Sequence, residues 1–134
     1  MWHERSTMTE MRDLEINGHK VPVTIEVLTD HDEIDIGNLV DGIAFPDEEK
    51  KLIDDLEKQR CDVLVVKVKV TSKELDYVEG SDVLGGVIVY NRNDLINVIN
   101  DNGMIQNAID DYCNNVRNEY ESAIKKKEYL EKFV

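Results

Sequence analysis

The chain has 134 residues, 34% of them charged, and a formal net charge of −13, which is the length of one domain and a strongly acidic balance. That balance excludes a nucleic-acid-binding protein of the ordinary basic kind, which needs lysine and arginine to displace counterions, and disfavours docking on anionic membranes. Val, Ile, Leu and Phe still account for 40 residues, above the level at which a highly charged chain stays disordered.

Met1–Thr7 reads as a loose leader, and residues 1–10 are expected to stand outside a single domain of residues 11–134. Met11–Ile16 alternates, with Leu14 and Ile16 on one face. His19–Thr29 alternates again through Val21, Val23, Ile25 and Val27. Asn17-Gly18 between the two runs predicts a hairpin with a type I′ turn, which needs positive φ at both central residues. Pro22 lacks an N–H and points to an edge position for part of its strand.

Asp30–Phe45 is a long acidic connection. Pro46-Asp47-Glu48-Glu49 then opens a helix expected over about Asp47–Arg60, because proline suits the first turn and carboxylates suit the positive end of the dipole. Cys61–Thr71 reads as a strand, with Leu64, Val66, Val68 and Val70 on one face. Ser72–Gly80 reads as a link and Val83–Tyr90 as a fourth strand, in which Gly85-Gly86 signals a bulge or a close backbone approach. From Asn91 the pattern is helical, with a break at Asn102-Gly103. Met104, Ile105, Ala108, Ile109, Tyr112, Val116 and Tyr120 then draw one stripe along a long helix. The order is β-β-α-β-β-α-α. The expected fold is α+β: an antiparallel sheet of about four strands with helices packed on one face.

Chemical motifs are sparse. Cys61 and Cys113 are 52 residues apart and outside any CxxC pair, so two thiols in a reducing cytoplasm are expected, with no zinc and no other cofactor. His3, His19 and His31 are scattered. No nucleophile, base and oxyanion donor fall together, so an enzyme is not expected. Tyr77, Tyr90 and Tyr112 are candidates to line a small-molecule pocket.

The charge is uneven. Glu26–Glu57 is net −10, and Asp30–Glu49 holds eight acids with no lysine or arginine: Asp30, Asp32, Glu33, Asp35, Asp41, Asp47, Glu48 and Glu49. A calcium loop does not fit, because the position that requires glycine is Asp35. Two readings remain: a solvated face that gives solubility, and a surface for a basic partner. Carboxylates recurring every ~5–7 Å on a helix or strand face imitate a row of phosphates. In size and composition, though in no motif, the chain is similar to phage or plasmid inhibitors of restriction and CRISPR systems.

The expected function is therefore a non-enzymatic cytoplasmic module. It binds a basic, nucleic-acid-handling protein through those eight acids and makes no direct contact with nucleic acid or membrane. The alternative is a small-molecule-binding or structural domain. Lysines interleaved with the acids would speak against phosphate mimicry, and an apolar pocket would favour a ligand. The long C-terminal helix suggests a homodimer if Ile109, Tyr112 and Val116 form an exposed stripe.

Overall fold

A computed structural model of the chain describes residues 5–32 and 46–134. Strands β1 (Arg5–Ile16) and β2 (His19–His31) form the hairpin, and Asn17 and Gly18 both have positive φ, 51° and 79°. Then follow α1 (Pro46–Glu57), β3 (Asp62–Thr71), β4 (Glu79–Val89), α2 (Arg92–Asp101) and α3 (Met104–Glu131). The sheet runs β1-β2-β3-β4 with every neighbouring pair antiparallel, so the described residues form the expected α+β arrangement.

The boundaries that move by three residues or more are the start of β1, the end of α1 and the start of β4. β1 begins at Arg5, so residues 5–10 belong to the sheet and not to a leader. Its register with β2 reaches Arg5 opposite Thr29, and the Thr7 hydroxyl donates to the Val27 carbonyl at 3.1 Å. Polar side chains on both faces of Ser6–Arg12 hide this strand from a hydrophobic pattern. α1 ends at Glu57, three residues early, where Gln59 takes a left-handed φ of 57° and the Arg60 N–H donates to the Asp55 carbonyl. That closure needs no glycine, so no cap signal announces it. β4 begins at Glu79, four residues early.

Pro22 sits where its missing N–H costs nothing. In a two-residue hairpin its nitrogen points away from β1, and on that side β3 begins to pair only at Thr24, opposite Thr71. Gly85-Gly86 does form a bulge: Leu64 faces Val87 and Val66 faces Leu84, so two glycines oppose Val65. Gly86 takes the left-handed φ of 65° that such a bulge requires.

The main core lies on one face of the sheet. Val23, Ile25 and Val27 of β2, Val66, Val68 and Val70 of β3, and Val87 and Val89 of β4 are buried beneath Leu95 and Ile99 of α2 and Met104, Ala108, Ile109 and Tyr112 of α3. Each valine, leucine, isoleucine or methionine among them contributes roughly 1.5–3 kcal/mol when fully buried. Gly80 sets the closeness of α3, since a Cβ there would lie 2.3 Å from the Tyr112 nitrogen and 2.4 Å from the Ala108 carbonyl oxygen. The expectation of helices on one face holds for α2 and α3. α1 joins through a second, smaller cluster of Leu52, Ile53, Leu56, Cys61 and Ile88. Ile88 is one residue out of phase with Val87 and Val89, so α1 meets the opposite face.

Candidate functional site

The two edges of the sheet are finished differently. Along β4, α3 supplies hydrogen-bond partners: Asp111 accepts from the Ser81 N–H at 2.9 Å, and Asn115 donates to the Glu79 carbonyl at 2.7 Å. β1 pairs with β2 alone among the described strands, which leaves its outer row of backbone donors and acceptors open.

Beside that open edge lies an apolar cleft. Among the described elements α2 packs mainly on β4 and α3 on β4 and β3, while β1 packs mainly on β2, with Met8, Leu14 and Ile16 reaching the main core. Between β1 and α2 remains a hollow of about 560 Å³. Its floor is Ile25 and Val27, its far wall is Ile96, Ile99 and Ile105, and its near wall is Thr7–Glu10 of β1. Thr7, Thr9 and Glu10 of β1 and Arg92 and Asn100 of α2 are its polar residues. A second hollow of about 280 Å³ continues past Thr7 and Arg92 toward Leu64, Val89 and Leu95. Glu10 stands opposite Ile25 and Arg12 opposite Val23, so both are on the core side of β1, and they form an ion pair at 3.1 Å. Their partial exposure fits charged residues at this end of the strand. The volume is that of an ordinary ligand site, with an apolar floor and far wall and a mixed polar rim.

The acidic residues singled out from the sequence have varied fates. Asp32 is committed to the fold: its N–H donates to the Val63 carbonyl, and its carboxylate accepts from the Gly86 N–H at 2.6 Å. Asp30 accepts from the His31 N–H through one oxygen, while the other is buried. Asp47 and Glu48 are exposed and Glu49 half-buried in the first turn of α1, directly followed by Lys50 and Lys51. Glu33, Asp35 and Asp41 lie outside the described residues. On the sheet face away from α2 and α3, Lys69 pairs with Glu26 at 4.0 Å, and Lys67 pairs with Glu79 at 3.2 Å. Lys67 and Lys69 are thus paired with Glu79 and Glu26, which lie outside the eight, and of the described five only Asp47, Glu48 and Glu49 have lysines directly beside them in sequence.

The titratable groups with shifted pKa values move away from reactivity. Burial pushes the Cys61 and Cys113 thiols up, and both are free. The Tyr90 hydroxyl donates to buried Asp55 at 2.7 Å, and that bond, with desolvation, holds the phenol well above its ordinary range. Arg60 also reaches Asp55, so the group ties α1 to the end of β4. Of the other tyrosines, Tyr112 is fully buried in the core and Tyr77 is exposed, while Tyr90 lines the smaller hollow. Among the described residues no group of three His, Cys, Asp or Glu side chains is placed to hold a metal ion, and no helix is long and apolar enough to cross a membrane. Comparison with protein-family models, with curated proteins and with solved structures finds no match.

Sequence reasoning missed the cleft because its walls are ordinary core-type residues. One signal was present: Leu95, Ile96, Val98 and Ile99 place four apolar residues in five positions, more than one helix face buries. Leu95 and Ile99 are buried in the core, and Ile96 is left to the cleft.

Proposed function

We propose that the protein is a non-enzymatic binding module that takes an extended segment of a protein partner along β1 and into the adjoining cleft. The observation that carries this reading is the pairing of an open strand edge with an apolar hollow on the same side. Main-chain hydrogen bonds to β1 supply affinity, and alternate side chains of the segment enter the hollow and supply specificity. The net charge of −13 selects a basic segment and speeds its encounter, with an attraction that salt weakens. Free thiols, both shifted upward, fit a reducing cytoplasm. The net charge of −10 over Glu26–Glu57 favours a second reading, in which the partner handles nucleic acid and carboxylates take the place of phosphates. Competition by duplex DNA for the captured partner separates the two.

The test is selection of a random peptide library on the immobilised protein. Enriched peptides are expected to alternate apolar residues with lysine or arginine. Their binding should fall about tenfold or more in Ile96→Asp, which places a charge in the hollow but lies outside the main core cluster. No enrichment, or equal binding by Ile96→Asp, would sink the proposal.

A further inference from the structure

The apolar face of α3 continues where the sheet stops. Met104, Ala108, Ile109 and Tyr112 are buried on the sheet and Cys113 and Val116 are half-buried, whereas every residue from Arg117 onward is exposed. Helical backbone persists to Glu131, so about 22 Å of helix projects past the sheet. The stripe that packs on the sheet runs on through Tyr120, Ala123 and Ile124, three or four residues apart, and resumes at Leu130 after Lys127. Tyr120 is 66% exposed and Leu130 51%. A helix of this length is marginal in water unless something packs on its apolar face.

We propose that this projecting half of α3 pairs antiparallel with the same segment of a second copy of the chain. Val116, Tyr120, Ala123, Lys127 and Leu130 follow the four-three spacing of a two-helix seam. Lys127 interrupts the seam with its long stem, the kind of polar position that fixes register at some expense of stability. The direction follows from charge. Glu119 and Glu121, with Arg117, give the stretch near the sheet a net charge of −1, and Lys125, Lys126, Lys127 and Lys132, with Glu128 and Glu131, give the far stretch +2. Antiparallel pairing sets the basic stretch of each copy beside the acidic stretch of the other, twice by symmetry. Parallel pairing sets like on like. Glu119 and Lys126 are one heptad apart on the same flank of the seam, the flank that meets its own counterpart in an antiparallel pair. Ile109 and Tyr112 are buried on the sheet and Val116 is half-buried, so the stripe expected from the sequence to carry a dimer does not do so, and the proposed pairing rests on Tyr120–Leu130 instead.

Sedimentation equilibrium over a dilution series tests this. The expected mass is twice the 15.4 kDa of the chain at the concentrated end. Leu130→Glu should return it to monomer, with a melting temperature equal to that of the parent chain at dilutions where both are monomeric, since Leu130 belongs to neither core cluster. Glu119→Lys and Lys126→Glu should each weaken association roughly fivefold, and the double reversal should restore it. A monomer throughout, a dimer indifferent to Leu130→Glu, or a double reversal that fails to restore association would each overturn the proposal.

Discussion

Asp32 and Asp55 are carboxylates in a chain full of them, and each is used inside the fold. Asp32 reaches across β3 to cap the Gly86 N–H, a contact between residues 54 apart that no local pattern reveals. Asp55 accepts from Tyr90 and faces Arg60. Removing the hydroxyl in Tyr90→Phe leaves a buried acceptor without its donor and should cost about 1 kcal/mol, read as a lower urea midpoint. The same bond makes stability depend on alkali. The folded phenol titrates above the unfolded one, so its contribution is complete below about pH 10 and is lost as pH rises beyond that. The alkaline decline should be shallower in Tyr90→Phe. Equal declines in the two proteins would show that the bond carries no such linkage.

At the scale of elements, the sequence is legible wherever a local rule acts alone. Asn17-Gly18 sets the hairpin, the alternation of Val66, Val68 and Val70 sets β3, and Asn102-Gly103 divides α2 from α3. It is illegible where a partner decides. The first half of β1 is a strand because β2 is beside it, and Gly80 is needed because the α3 backbone lies on it. Nothing near Gly80 marks it out from Gly85 and Gly86, which looked the more informative pair. Gly80→Ala should force α3 off the sheet and destabilise the domain by about 3 kcal/mol, measured by chemical denaturation. A cost below about 0.5 kcal/mol would mean that helix and sheet are not held at this distance.

At the scale of the molecule, composition gave the acidity but not its arrangement. Asp32 is spent on a structural hydrogen bond, Lys67 and Lys69 pair with Glu79 and Glu26, and the hollow beside β1 mixes core-type residues with polar ones. One sheet edge is sealed by Asp111 and Asn115, and the other is open beside that hollow. The most direct measurement of the binding proposal is amide hydrogen exchange with and without a library-selected peptide. Slowed exchange confined to β1 and the cleft-facing residues of α2 is the expected result. Protection at the first turn of α1, with β1 unchanged, would contradict it and move the binding surface to the acidic face.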